Sequence, residues 1–300
     1  MSENKPINNN ALDMPGQFTI GSTIRAAAIL TIFMIITLPL MGVQWGLLKF
    51  SPHHARTFPH WYHRIVCRLL GIRLHVNGQV AGKSPVLIIA NHSSWLDIPV
   101  LSALAPISFI AKSEVSTWPF ISWLAKLQRT VFINRKSRVD VGRVSNQMVE
   151  RFTEGDALVV FAEGTSTDGN RVLPFRSSLL SSAFAKDFGD RDRAETLEAV
   201  AAPANMQVQT LSVAYTHLHG IPLGRDDRKL IAWYGDMEIL GHAWALLKAG
   251  PLDVHISVRD PVAIDAYQDR KILARSVEQK VRTDLVHMLY GERPAPTLNS

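Results

Sequence analysis

A single cysteine, Cys67, stands among the 300 residues. One thiol cannot close an intrachain disulfide, and it cannot build a cysteine-based zinc site alone. Disulfide-stapled secreted scaffolds are therefore excluded. The chain also lacks any Gly-x-Ser-x-Gly segment, which an α/β-hydrolase nucleophile elbow requires. No internal repeat is present, which excludes solenoids and propellers. The most telling lack is of charge: from Ala26 to Leu48 there is not one Asp, Glu, Lys or Arg. A stretch of that length and apolarity can cross a bilayer core of about 30 Å as a helix. A secretory signal is a poorer match, because the run is too long and no cleavage site follows. Pro39 and Gly42 predict a kink, so a hairpin entering and leaving one leaflet stands beside a full span.

What is present points to an anionic surface. The net charge is +6. Lys49, Arg56, Arg64, Arg68 and Arg73 follow the apolar run, whereas only Lys5 and Arg25 precede it. That bias places the downstream part in the cytoplasm, on the inner membrane. Trp61, Tyr62, Ile65, Val66, Leu69 and Leu70 fall at helical spacing around Arg64 and Arg68, as expected of an interfacial helix or of one packed on a domain. Nucleic acid is excluded as the partner because it leaves the apolar run unexplained. His217-Leu218-His219 would put two imidazoles on one side of a strand, but no third ligand accompanies them, so no metal site is expected.

Residues 1–18 are polar and predicted to be disordered, 19–71 form the membrane-anchoring and interfacial helices, 72–291 the catalytic domain, and 292–300 a tail. Within the domain, short strand-like runs alternate with helical ones. The strands are Arg73–Val76, Val86–Ala90, Ile107–Ala111, Thr130–Asn134, Ala157–Phe161, Thr210–Tyr215, Leu230–Tyr234 and Val254–Val258. The helices are Asp97–Leu104, Pro119–Leu127, Val139–Thr153, Ser178–Phe188, His242–Lys248 and Asp269–Leu289. This alternation predicts an α/β fold: a mixed, largely parallel sheet flanked by helices, with an N-terminal membrane-embedded helix or helical hairpin. Asp190–Gln207 reads as a surface insertion.

The chemistry gathers at strand ends. Asn91-His92-Ser93-Ser94-Trp95-Leu96-Asp97 follows the buried strand Val86–Ala90 and leads into a helix. Open α/β sheets place ligands at such carboxyl ends. An imidazole steered by a carboxylate takes a proton from a hydroxyl near neutral pH. Ser94-x-x-Asp97 also resembles a capping box, and a plain helix cap is the competing reading. Backbone amides near His92 could hold an oxyanion. Ala162-Glu163-Gly164-Thr165 closes the strand Ala157–Phe161, and a turn of this kind can hold a polar head group or simply face water. Val131-Phe132-Ile133-Asn134-Arg135 ends a strand in a guanidinium fork. Leu173-Pro174-Phe175-Arg176 is either a pocket wall or a loop.

In this order, NHSSWLD, VFINR, FAEGT and LPF resemble the glycerolipid acyltransferase family over about Ile72 to Val262. The bacterial lysophosphatidate acyltransferases are its best-known members. The resemblance implies transfer of a fatty acyl group from acyl carrier protein or coenzyme A to the free hydroxyl of 1-acyl-sn-glycerol-3-phosphate. It implies no acyl-enzyme, no metal and no cofactor beyond the acyl co-substrate. The partners implied are a lysolipid acceptor, the acyl donor and membrane phospholipid. His92 would be the base and Asp97 its steering partner, with Arg135, Glu163, Gly164, Thr165 and Lys112 holding the acceptor head. Two positions depart from the pattern: Ala162 replaces the usual Pro, and Ser166 stands where a basic residue is frequent. That weakens the phosphate and brings in lyso-ornithine lipid, whose head carries no phosphate, as the alternative acceptor. An inert membrane scaffold of the same fold is the non-enzymatic alternative.

Overall fold

The computed structural model describes residues 19–82, 85–134, 147–183 and 205–291. The expectations for 1–18, for the tail and for most of Asp190–Gln207 lie outside these residues. Two helices open the described chain. Helix α1 (Ile20–Phe50) runs unbroken through Pro39 and Gly42, and α2 (Pro52–Leu69) starts beyond the shared cap Ser51. They pack antiparallel as a hairpin: Thr37 Oγ1 meets the Tyr62 hydroxyl at 2.7 Å, and Gln44 Nε2 donates to the Ala55 carbonyl at 2.9 Å.

The nine described strands form one sheet. They are β1 (Ile72–Asn77), β2 (Val86–Ala90), β3 (Ile107–Lys112), β4 (Val131–Ile133), β5 (Ala157–Phe161), β6 (Gln207–Leu218), β7 (Ile221–Pro222), β8 (Leu252–Val258) and β9 (Val262–Ala263). Their order is β1-β8-β6-β2-β5-β3-β4, with β7 and β9 pairing along β6. Strands β6, β2, β5, β3 and β4 are mutually parallel, whereas β8 runs antiparallel to β6 and carries β1 with it. The sheet is thus mixed and largely parallel, as expected. A parallel strand covered on both faces needs an uninterrupted apolar run, and all five residues of β2 are buried.

Helices cover both faces. On one lie α2, α3 (Asp97–Ser102), α4 (Ile121–Leu127), the short α6 (Arg228–Ile231) and α7 (Ile239–Ala249). Leu96, Val100, Leu101, Tyr215, Ile231 and Leu246 pack there. On the other lie the helix 147–153, here α5, and α8 (Arg270–Tyr290). In α8, Leu273, Val277, Val281 and Leu285 present one buried stripe at four-residue spacing. Asp269 caps this helix by accepting the amides of Lys271 and Ile272. Of the helix expected at Ser178–Phe188, the described part is a 3-10 turn, Ser177–Ala183.

Leu230–Tyr234 is a correction. It was expected as a strand and instead forms α6 and an irregular turn. Its β-forming composition is overridden because the Trp233 amide donates to the Ser93 carbonyl at 2.8 Å and is lost to any sheet ladder. Arg228, buried at the head of α6, fixes the segment through Asn170 Oδ1 and the Leu223 carbonyl.

Candidate active site

Since β2, β5, β3 and β4 are parallel, their carboxyl ends share one edge of the sheet. His92 follows β2, Glu163 and Gly164 follow β5, and Lys112 ends β3. Asn91 locks the base of the first turn. Its side-chain amide donates to the Val213 carbonyl at 2.9 Å and accepts from the Val213 amide at 2.8 Å, which prolongs the β2–β6 pairing by one residue.

His92 Nδ1 lies 2.8 Å from Asp97 Oδ2. The same oxygen accepts the amides of Ser93 (2.8 Å) and Ser94 (3.1 Å), and the Tyr215 hydroxyl donates to Oδ1 at 2.7 Å. Asp97 has no exposed surface, so these four donors replace its water shell. Only half of the expected capping box forms: the Ser94 amide reaches the Asp97 carboxylate, but the Ser94 hydroxyl turns to the Leu96 amide at 3.4 Å. A carboxylate only accepts, so Nδ1 carries the proton and Nε2 holds the lone pair. One face of the imidazole stacks on Phe161, with centroids 4.1 Å apart and planes at 16°. The side chain keeps 18% of its surface exposed. The ring is therefore held on one edge and one face, and a hydroxyl can approach Nε2 from the open side.

Glu163, expected at the acceptor head, is 1% exposed. Its Oε1 accepts the His92 amide at 2.8 Å and its Oε2 the Leu173 amide at 2.6 Å. It joins the His92 turn to the Leu173–Arg176 segment from below. Burial pushes its carboxyl up to about 7, against the pull of the two backbone amides. Gly164 takes a left-handed φ of 75° that lets its amide close on the Phe161 carbonyl at 3.1 Å. Thr165 is exposed beside it, and Thr167 donates its amide to the His92 carbonyl at 2.9 Å. Lys112 is exposed and pairs with Glu114 at 2.9 Å, a contact that holds the Glu114 carboxyl below its ordinary value. Arg135 lies outside the described residues; β4, which leads to it, ends on the shared edge.

Nothing in the sequence distinguishes Tyr215 from other residues of its strand. Burial and the neighbouring Asp97 charge push its phenol well above 10, so it stays a donor. Trp95 lies in the turn, and Trp233 borders it. The Trp95 indole donates to His242 Nδ1 at 3.0 Å, and Trp233 meets Trp118 edge-on at 5.8 Å. The arrangement can withdraw a proton from a hydroxyl arriving at His92 Nε2.

A family model described as Acyltransferase matches residues 71–194. Over 269 residues the chain is 40% identical to the lyso-ornithine lipid O-acyltransferase of Brucella abortus, covering 90% of this chain and 97% of that protein. It is 34% identical over 288 residues to the protein of the same name from Rhizobium meliloti, covering 92% and 94%. The 1-acyl-sn-glycerol-3-phosphate acyltransferase of Neisseria meningitidis is 41% identical over 122 residues, which cover 40% of this chain and 48% of that one. The crystal structure of the 1-acyl-sn-glycerophosphate acyltransferase PlsC from Thermotoga maritima shares the fold, with a TM-score of 0.60 at 21% identity over 92% of this chain and 97% of that one.

Proposed function

The chain belongs to the glycerolipid acyltransferase family and is an acyltransferase of the lysolipid type; we propose that its acceptor is a lyso-ornithine lipid. The observation that carries this reading is the reach of the likeness. In sequence, the two lyso-ornithine lipid O-acyltransferases named above match nine-tenths of the chain, beyond the catalytic motifs, whereas the Neisseria phosphatidate-type relative matches 40% of it. This reading reverses the order of the two acceptors expected from the sequence. Ser166, in place of a basic residue, agrees with a head that bears a carboxylate and an ammonium and no phosphate.

The reaction follows from the His92 geometry. Nε2 takes the acceptor's hydroxyl proton as the oxygen attacks the thioester carbonyl. Asp97 holds the ring's tautomer and balances the imidazolium charge. The C–S bond of the tetrahedral intermediate then breaks, and the departing sulfur takes up the proton from Nε2. A thiol, with a reference pKa of about 8.5, is a far better leaving group than an alcohol. No acyl-enzyme is involved. Gly164, Thr165 and Lys112 border the acceptor's head, and Arg135, from the resemblance, pairs with its carboxylate.

The membrane helix bears on how the acceptor arrives. Arg25 Nη2 donates to the Leu247 and Lys248 carbonyls at the end of α7 (3.3 and 2.7 Å), and Gln44 Nε2 donates to the Leu127 carbonyl at the end of α4 (2.9 Å). These anchors lie ~28 Å apart at ~1.5 Å per residue, close to the thickness of a bilayer core. A helix fastened to one domain at both points lies along it. Ile24, Ile35, Leu38 and Trp45 face outward from α1, as a surface sunk in one leaflet requires.

The test is a panel of lysolipids offered with one labelled acyl thioester, delivered on carrier protein or on coenzyme A, with product identification. Ornithine lipid as the main product is expected. Phosphatidate as the main product would restore lysophosphatidate as the acceptor, and thioester consumed without either would refute both.

A further inference from the structure

We propose that His242 is a positioning residue for the catalytic turn, and that α7 transmits the placement of the membrane helix to it. The proposal rests on the lysolipid-acyltransferase reading above. His242 is completely buried, and its Nδ1 accepts the Trp95 indole N–H at 3.0 Å. An indole nitrogen only donates, so Nδ1 must be the unprotonated nitrogen. The proton then sits on Nε2, a buried nitrogen with no hydrogen-bond partner among the described residues. Burial lowers the ring's pKa to about 4, so the acceptor persists at neutral pH.

Trp95 lies inside the catalytic turn, next to Ser94, whose amide binds the Asp97 carboxylate. Fixing the indole fixes the backbone that presents Ser94 and Asp97. The same part of the chain grips the turn a second time, through the Trp233 amide on the Ser93 carbonyl at 2.8 Å. About one and a half turns of helix beyond His242, α7 ends in the Leu247 and Lys248 carbonyls that Arg25 of α1 caps. One helix thus holds the catalytic turn near its start and the membrane helix at its end, a continuous packed path from α1 to the His92 turn.

The experiment uses the full-length protein in vesicles. His242→Leu leaves the indole N–H buried without an acceptor, whereas His242→Gln supplies a carbonyl oxygen. We expect His242→Leu to lower kcat by roughly tenfold or more, the scale of one buried hydrogen bond left unmade, with KM for the acceptor within about twofold. His242→Gln should recover most of the rate. Trp95→Phe should lower kcat comparably, and the Trp95→Phe/His242→Leu double variant should be no worse than the poorer single one, because both break one contact. Arg25→Met should slow wild type about threefold and His242→Leu not at all.

The idea is overturned if Leu and Gln at 242 are equally slow, if the Trp95 and His242 losses multiply, or if Arg25→Met acts equally in both backgrounds. Hydrogen exchange at the Trp95 indole, assigned by its loss in Trp95→Phe, reads the contact without turnover. It should be slow in wild type and His242→Gln and fast in His242→Leu, and fast exchange in wild type refutes the contact. A wild type that exchanges slowly but transfers no acyl group refutes the acyltransferase reading and the positioning role, and leaves α7 as a packing element.

Discussion

Removing one oxygen atom, in Tyr215→Phe, tests how Asp97 is held. Tyr215 is buried and its hydroxyl donates to Asp97 Oδ1 at 2.7 Å. The substitution keeps the ring, which packs among Val213, Val254 and Leu96, and strips Oδ1 of its donor. A hydrogen bond to a buried charged group is worth about 1.5–3 kcal/mol. The three donors on Oδ2, from His92, Ser93 and Ser94, remain. The carboxylate therefore stays in place but is free to rock about the Oδ2 anchor, and His92 loses its fixed orientation.

If the whole cost appeared in the transition state, kcat would fall between about 10- and 150-fold at about 1.4 kcal/mol per decade. Part of it appears in the ground state as lower stability, so a fall of about 5- to 50-fold is expected, with KM for the lysolipid unchanged. Asp97→Asn is the companion measurement. Its amide turns an N–H toward His92 or the turn amides and should cost about three to four decades, as loss of the correct tautomer does elsewhere. The assay is release of free thiol from the acyl thioester, with thermal unfolding in detergent measured in parallel. A Tyr215→Phe protein with unaltered kcat and unaltered midpoint would refute the reasoning, since the donor at Oδ1 would then carry no energy.

Four further outcomes are expected. Glu163→Gln should lower stability by about 1–3 kcal/mol and reduce kcat, because an amide cannot accept from both the His92 and Leu173 N–H groups; wild-type melting and activity together would contradict this. For wild type, burial raises the Glu163 carboxyl to about 7, so the folded state binds this proton more tightly than the unfolded chain does. That stabilisation is complete below about pH 4.3 and is lost as pH rises toward 7, by at most about 3–4 kcal/mol, and melting curves from pH 4.5 to 8 would expose a trend of the opposite sign. Asp156 is buried beneath Arg129, Arg151 and Arg56, so Asp156→Asn should destabilise by about 3–5 kcal/mol, read as a lower unfolding midpoint. Finally, if α1 lies in one leaflet, Ile20→Cys and Phe50→Cys should both react with an impermeant maleimide from the same side of sealed vesicles; labelling from opposite sides would show a span.

The elements that the sequence disclosed are those whose cause is local. Strands β2 and β5 fall where their apolar runs predict. His92 and Asp97 sit one turn apart, so their meeting needs no tertiary information. The charge-free run announces an apolar helix whatever it packs against. What escaped depends on distant partners. Tyr215 reaches Asp97 across 118 positions and His242 reaches Trp95 across 147. Neither residue type is unusual on its strand or helix. Leu230–Tyr234 was misread for the same reason, because its β-forming side chains could not reveal that Ser93 takes the Trp233 amide. The surroundings of Glu163 were equally hidden, because a carboxylate at a strand end looks the same whether it faces solvent or, as here, two backbone amides.

The same hydrogen bonds narrow the chemistry. An oxyanion donor was expected among the amides near His92, but the amide of His92 is bound to Glu163 and those of Ser93 and Ser94 to Asp97. Breaking any of them for the tetrahedral oxygen would loosen the base that the step needs. The carbonyls are equally committed, His92 to Thr167 and Ser93 to Trp233. The turn is therefore built to aim Nε2, and preorganisation of that kind requires that its own groups not be diverted to substrate. Gly164, whose amide closes on Phe161, is occupied too. Donors to the oxyanion are therefore to be sought outside these four amides, each of which already serves the geometry of the turn or of its neighbour.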